Sequence, residues 1–530
     1  MALAEEDRRR VAIGTLLTVI GGLCLAGFRS MGFVLRAVFG GSSYGLFAIA
    51  QSGVELMAYL LLGGFNDAIV YHATLWTVRR DAASTAAARA EAEDGLYTAL
   101  ATTLVPPLLA AVAVAVAAQV ALPLLHRLFW SQHDLLLVGL GRLLALALPL
   151  IVLMQLCAEA TKATMQFAWQ VGIVQVLFPL LTLLFAFALH RGAGLGIEAL
   201  AWGILLALLF AAAAAVFAFG RIFSVSRTLR AAAALRWDSE VLVFALPQSI
   251  NMMMNLGLTK ADGLMLSAFV SADAVGVYVL VSDLTQLIRL GKMAFSSVFS
   301  PLVARYQAAS NRHGIQEALT TLIPITATLG ILLTIGIMGS YEAAILREGE
   351  RWMGGRLYPW LLCVGPLMSC FFGLAGNLLL MTGHSRLLLY NAVVAVLLNL
   401  ALAVLLIPRF GLLGAAIATA VSSFAISAGQ LAEMHLLEHY RLPWRSHART
   451  LIAAMVPIAG VVVAYSERAS SLLSRMPGQS ALLQRAVWVG LMMAGYALLV
   501  FMLPGTNPLR ALFRRGLPAV VGQAGSARGS

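Results

Sequence analysis

The sequence predicts an all-α polytopic membrane protein with about fourteen transmembrane helices. Three observations predict it. The 530 residues are 60% hydrophobic and 11% charged, with a mean hydropathy of +0.88, whereas soluble domains carry roughly 25% charged residues. Apolar runs of about 20 residues, the length that spans a bilayer as a helix, recur from end to end. The basic residues collect in the short segments between those runs, so the formal net charge of +12 reads as a topology signal and not as a nucleic-acid footprint.

Arg8-Arg9-Arg10 precede the first span, Val11–Phe39, which is too long for a signal-peptide core and reads as an uncleaved helix. Five more spans follow at Tyr44–Leu75, Leu96–Val120, Leu135–Ala158, Ala163–Leu189 and Leu195–Phe219. These make an N-lobe of residues 1–220. A basic linker, 221–239, holds Arg221, Arg227, Arg230 and Arg236. The C-lobe, 240–440, contains Val241–Phe269, Ala274–Pro301, Leu319–Met338, Tyr358–Met381, Leu387–Ile407 and Leu412–Leu436. A last helix pair, Thr450–Tyr465 and Leu482–Leu503, occupies 441–504. The Gly- and Pro-containing basic tail, 505–530, reads as a disordered end. With the N-terminus inside, roughly twice as many Lys and Arg fall on the cytoplasmic side as outside, which predicts that both termini are cytoplasmic. The four cysteines, Cys24, Cys157, Cys363 and Cys370, all lie in apolar segments without metal-ligand spacing.

An internal repeat organises the chain. "FRSMGFVLRAVFGGSSYGLFAIAQ" from Phe28 matches "TKADGLMLSAFVSADAVGVYVLVS" from Thr259. Gly32 meets Gly263, Leu35 meets Leu266, Ala37 meets Ala268, Gly45 meets Gly276 and Phe47 meets Tyr278. "GLGIEALA" at Gly194 likewise matches "GLLGAAIA" at Gly411. Each unit holds six spans, so the repeat predicts two parallel six-helix lobes with a substrate cleft between them.

Charges inside spans are the candidate site residues, because Lys or Asp at mid-bilayer costs about 2.5–3.5 kcal/mol unless it pairs or binds cargo. Arg29 falls on Lys260 in the repeat, one cation for each lobe, and Arg36 shares the Arg29 stripe. Arg289 and Lys292 share one face of the eighth span with Thr285 and Ser296. These five cations are the substrate-binding candidates. Glu55, Asp67 and Asp262 are candidates for a coupling-ion site, and the identity of the ion, H+ or Na+, stays open. No resident metal or organic cofactor is expected. "GSSYG" at Gly41 has the pattern of a nucleophile elbow but joins two membrane helices instead of a strand and a helix. "HLLEH" at His435 reads as an amphipathic helix end without a third ligand. His72 is expected to hydrogen-bond within the bundle. The outside segments are short, the largest running from Gly339 to Leu357, which leaves little room for an external catalytic domain and argues against an enzyme.

Three stretches resemble the multidrug/oligosaccharidyl-lipid/polysaccharide exporter superfamily, and within it the Wzx-type polysaccharide flippases. They are "RAVFGGSSYGLFAIAQ", then "KADGLMLSAFVSADAVGVYVLVSDLTQLI" with "FSSVFSPLVARY", then "MTGHSRLLLYNAVVAVLLNLALAVLLIPRFGLLGAAIATAVS" with its Asn399 and Ile407-Pro408. The resemblance covers roughly residues 10 to 440. It implies two lobes in a V with alternating access, and a cargo of undecaprenyl-pyrophosphate-linked oligosaccharide whose pyrophosphate is held by cavity cations. It also implies a monomer in the bacterial inner membrane, with membrane lipids and a polysaccharide polymerase or assembly machinery as partners. The last helix pair resembles the extra pair of lipid II flippases. A lipid II flippase and a cation-coupled multidrug exporter are the alternatives, the latter requiring acidic groups toward cationic drugs.

Overall fold

The computed structural model describes residues 20–22, 24–25, 27–28, 31–164, 166–234, 238–308, 311–348, 357–382, 384–442, 448, 452–455, 458–459 and 489–498. Among them there are helices and turns and no strands. Among the described residues, ten helices are long and apolar enough to cross a membrane. Parts of the predicted first, thirteenth and fourteenth spans lie outside the described residues.

The chain divides into two compact units, Met1–Leu280 and Val281–Ser530. The first begins with α1 (Gly32–Phe39), α2 (Gly41–Ala82) and α3 (Ala86–Phe129). With 42 and 44 residues, α2 and α3 are about 63 and 66 Å long at 1.5 Å per residue. That is twice a hydrocarbon core of roughly 30 Å. The excess lies around their joined ends, where Arg79, Arg80, Asp81, Arg89, Glu91, Glu93 and Asp94 cluster and exposure is high. Thr85 starts α3 by accepting a hydrogen bond from the Ala88 amide, satisfying one of the orphan donors of a helix start.

The fourth predicted span divides into α4 (Leu136–Ala145) and α5 (Leu148–Ala160). Pro149 sits in the first turn of α5, where no intrahelical N–H bond is needed. A π-helical turn, Val171–Leu177, leads into α6 (Phe178–Ala193), again with proline in the first turn. Then come α7 (Glu198–Ile222) and a short linker helix, α8 (Val225–Ala233), capped by Ser224. Arg227 of α8 pairs with Glu93 and lies over the Tyr97 ring, so the linker is tied to α3. Asp238 caps the 29-residue α9 (Ser239–Ser267), the seventh predicted span, and α10 (Ala272–Thr285) follows.

Helix α9 packs along α2 at glycines. A Cβ on Gly64 would lie 1.8 Å from the Ala245 carbonyl oxygen, so the two backbones touch there. The Gly64 amide also donates to Ser249 Oγ at 2.9 Å. This contact places α9 in the first compact unit, although the sequence repeat divides the chain at the 221–239 linker.

The second unit holds the end of α10 and a 3-10 turn, Gln286–Arg289. Its further helices are α11 (Leu290–Ala308), α12 (Arg312–Glu348), α13 (Leu357–Met381), α14 (Ser385–Phe410) and α15 (Leu412–Leu436). One apolar core joins Phe299, Ile323, Leu374, Leu378 and Met434. A second joins Ile331, Ile335 and Phe371 to Ala453, Ala454 and Tyr496, so pieces of the last predicted helix pair rest on α12 and α13. Gly194 and Gly411, matched in the repeat, both turn the chain between helices with positive φ, 65° and 56°. An L side chain disfavours that backbone, which accounts for glycine at both turns.

Candidate functional site

The 3-10 turn at Gln286–Arg289 tightens the chain between α10 and α11. The Cys370 thiol of α13 donates to the Ile288 carbonyl at 3.2 Å, fixing the turn against its neighbour. Arg289 ends the turn, and Lys292 follows three residues later on the same face, as the sequence spacing predicts. Arg289 Nε is buried and has no hydrogen-bond partner among the described residues. Among the described residues neither Arg289 nor Lys292 enters an ion pair. Lys292 lies across Gly373: a Cβ there would sit 2.7 Å from Nζ and 2.8 Å from Cδ and Cε. The glycine makes room for the lysine stem.

Two like charges, each costing about 2.5–3.5 kcal/mol in mid-membrane, are a chemical demand for an anion. A phosphate group can accept hydrogen bonds from both a guanidinium and an ammonium. Filling the cradle should therefore impair anion binding more than folding. Gly373→Val is expected to weaken anion binding about tenfold, by displacing a charged donor worth roughly 1.5–3 kcal/mol. The melting temperature in detergent should change little, because the displaced atoms are the flexible end of a side chain. A large fall in melting temperature would place Gly373 in the packing and not in the site.

The other candidates lie in the first unit. Arg36 is 5% exposed and its guanidinium contacts Asp273 Oδ1 at 2.9 Å. Asp262 is 1% exposed and accepts from the Tyr278 hydroxyl at 3.5 Å. Glu55 accepts from Gln51 Nε2 at 2.7 Å. Asp67 is exposed on α2. Arg29 lies outside the described residues. Lys260 falls on α9, but its side chain is outside them too. The sequence reading missed Glu159, which pairs with Lys162 at 2.6 Å at the end of α5 and feels the charge of Asp67. The segment "EATK" was the available signal, an acid and a base one turn apart at the end of a span. His72 is expected to hydrogen-bond within the bundle, but its buried Nε2 has no partner among the described residues. Its ring packs edge-on against Tyr71 and Phe244, at 5.0 and 5.9 Å between centroids.

No protein-family model matches the sequence, and no curated protein matches it. Solved structures do. The chain is similar to the lipid II flippase MurJ in an inward closed conformation, with a TM-score of 0.66 and 13% identity over 92% of this chain and 99% of that one. It is similar to a multidrug resistance MATE family transporter of the MOP superfamily in an inward-facing conformation, with a TM-score of 0.54 and 16% identity over 79% and 93%. The outward-facing MATE structure gives 0.54 and 17% over 80% and 94%. The fold is therefore MurJ/MATE-like, and the proteins that share it are a lipid II flippase and multidrug resistance transporters.

Proposed function

We propose that this chain is a flippase, not an enzyme, that moves undecaprenyl-pyrophosphate-linked oligosaccharide across the bacterial inner membrane by alternating access. The cargo would be an O-antigen or exopolysaccharide repeat unit. The observation that carries the reading is the Arg289–Lys292 pair, two membrane-embedded cations without an ion-pair partner among the described residues. A pyrophosphate supplies the missing counter-charge in a low-dielectric site, where charged hydrogen bonds are strong. Arg29 and Lys260 stay proposed cargo-binding cations of the first unit, while Arg36 is engaged by Asp273. A multidrug exporter of cations would need the opposite sign at this place. Glu55, Asp67 and Asp262 remain the proposed coupling-ion residues, with H+ or Na+ as the ion, and both termini are assigned to the cytoplasm.

A second reading, a lipid II flippase, is favoured by the match to MurJ over 99% of that chain and by the helix pieces at 452–455, 458–459 and 489–498 packed on α12 and α13. Lipid-linked precursors separate the two. Depletion of this protein in the cells that make it should cause undecaprenyl-pyrophosphate oligosaccharide to accumulate and surface polysaccharide to disappear, and wild-type protein should restore both. Accumulation of lipid II with lysis would establish the second reading instead. Normal precursor pools, with only drug sensitivity altered, would overturn both.

A further inference from the structure

In the first unit, a cleft of about 410 Å³ opens between α3 and the linker helix α8. That is within the roughly 300–1,000 Å³ of small-molecule sites. One face of α3 supplies Glu93, Asp94, Tyr97 and Thr98, and α8 supplies Arg227 and Arg230, one turn apart. Ala90, Ala231 and Ala234 line the rest, so short side chains leave the space open. One wall is therefore acidic and the other basic, and their formal charges cancel. The walls meet at Arg227, whose guanidinium pairs with Glu93 at 2.5 Å and lies over the Tyr97 ring at 5.6 Å. Arg230 enters no ion pair among the described residues.

Hydrogen bonds at both ends of the linker hold the cleft in shape. The Ser224 amide donates to the Tyr97 hydroxyl at 3.3 Å, and the Asp238 amide donates to Thr102 Oγ1 at 3.0 Å. Aromatic and basic side chains mark its level in the membrane. Arg79 lies over the Trp76 ring at 4.7 Å. A Cβ on Gly95 would be 2.7 Å from that ring, so Trp76 packs on the turn of α3 that carries Asp94. Arg221 lies over the Phe217 ring at 5.8 Å. Trp, Tyr and Arg gather at the headgroup level of a bilayer, with rings toward the tails and charges toward water. Leu229, between the two arginines of α8, is exposed, as suits a helix lying at that level. The cytoplasmic termini assigned above put the cleft at the inner leaflet.

We propose that this cleft binds the headgroup of a zwitterionic aminophospholipid of the inner leaflet, with the phosphate on Arg230 and Arg227 and the ammonium on Asp94 and Glu93. A guanidinium donates paired hydrogen bonds to phosphate oxygens, and a primary ammonium donates to carboxylates. An anionic headgroup would satisfy the arginines but bring its charge against Glu93 and Asp94. A quaternary ammonium has no N–H to donate to those carboxylates. A soluble polyphosphate carries several negative charges, which the balanced lining does not match. The headgroup bridges α3 and α8 and so fastens the linker to the helix beside it. The site shares no residue with the proposed cargo site.

Lipid titration of the purified full-length protein in detergent tests it, with native mass spectrometry counting bound lipid and the melting temperature reading its effect. Phosphatidylethanolamine should bind, and raise the melting temperature, more than phosphatidylglycerol or phosphatidylcholine with the same chains. Arg230→Ala and Asp94→Asn, both at exposed positions, should each weaken that binding about tenfold, as loss of a charged hydrogen bond requires. Ala231→Leu, which fills the cleft, should weaken it as well and leave the lipid-free melting temperature unchanged, because leucine is well tolerated in a helix. Arg409→Ala, an exposed arginine on another helix, should bind as the parent does. Equal phosphatidylethanolamine binding by the parent and all three cleft variants would overturn the site. Stronger binding of phosphatidylglycerol than of phosphatidylethanolamine would overturn the zwitterion. The same rise in melting temperature with free phosphoethanolamine at equal concentration would overturn the lipid as its source. Translocation is not read by this titration, so failure of the flippase reading shows separately, in the lipid-linked precursors.

Discussion

On the proposed flippase reading, replacing both half-buried cations of the second unit, Arg289→Ala with Lys292→Met, is expected to lower polysaccharide export by about a hundredfold or more. Each charged hydrogen bond to phosphate contributes roughly 1.5–3 kcal/mol, and two lost together amount to two or more factors of ten in affinity. Folding should respond in the opposite direction. Among the described residues neither group has an ion-pair partner and Arg289 Nε has no hydrogen-bond acceptor. Substituting methionine for Lys292 removes an uncompensated charge and should raise stability by roughly 1–3 kcal/mol, seen as a higher melting temperature in detergent. A structural ion pair would behave in reverse, since removing one member strands the other. Loss of export with unchanged or raised stability identifies a functional cation, whereas loss of both identifies a packing residue. Arg289→Lys should retain part of the activity, because the charge stays while the bidentate geometry is lost.

The second large effect falls on the backbone contact of α2 with α9. Gly64→Ala would place a methyl 1.8 Å from the Ala245 carbonyl oxygen and 2.7 Å from the Ser249 amide nitrogen. Both obstacles are backbone, so the helices themselves must move apart. Overpacking of this kind costs about 1–3 kcal/mol, and losing the Gly64–Ser249 hydrogen bond adds about 1 kcal/mol. A drop in melting temperature and in membrane yield is the expected result. Gly53→Ala, eleven residues earlier on the same helix, is the control, because its nearest neighbour is an ordinary contact at 3.8 Å. Equal stability of the two variants would contradict the close approach of α2 and α9.

Most of the helical architecture was legible in the sequence, because a bilayer reads length and hydropathy directly and the spans are long apolar runs. The boundaries at Leu412–Leu436 agree with the helix, and those at Leu195–Phe219 lie within a turn of it. The lengths of α2 and α3 were not legible, since their polar ends continue as helix beyond the apolar window. The Arg289–Lys292 face was read from helical spacing alone. Its surroundings could not be: Cys370 and Gly373 are on another helix, and nothing in their local pattern points to Arg289 or Lys292. Asp273 as the partner of Arg36 was equally hidden, because 237 positions separate them and Asp273 looks like an ordinary helix-start acid. The repeat match of Gly45 with Gly276 was legible, but their contact, where a Cβ on Gly276 would lie 2.8 Å from Gly45 Cα, was not. Equivalence in sequence says which residues a rotation exchanges, not how far they stand from its axis. Packing divides the chain at Leu280 and the repeat divides it at the linker, because α9 lies along α2 at Gly64.

The most direct measurement of the central claim is translocation by the purified full-length protein in liposomes that contain undecaprenyl-pyrophosphate oligosaccharide. The accessibility of the sugar to an impermeant lectin or glycosidase reports its leaflet. The account predicts that wild-type protein moves the lipid-linked sugar at least about tenfold faster than protein-free vesicles, and that Arg289→Ala/Lys292→Met falls to the protein-free rate, as the loss of two charged contacts requires. No acceleration by wild-type protein, in vesicles where it transports a lipophilic cation, would contradict it.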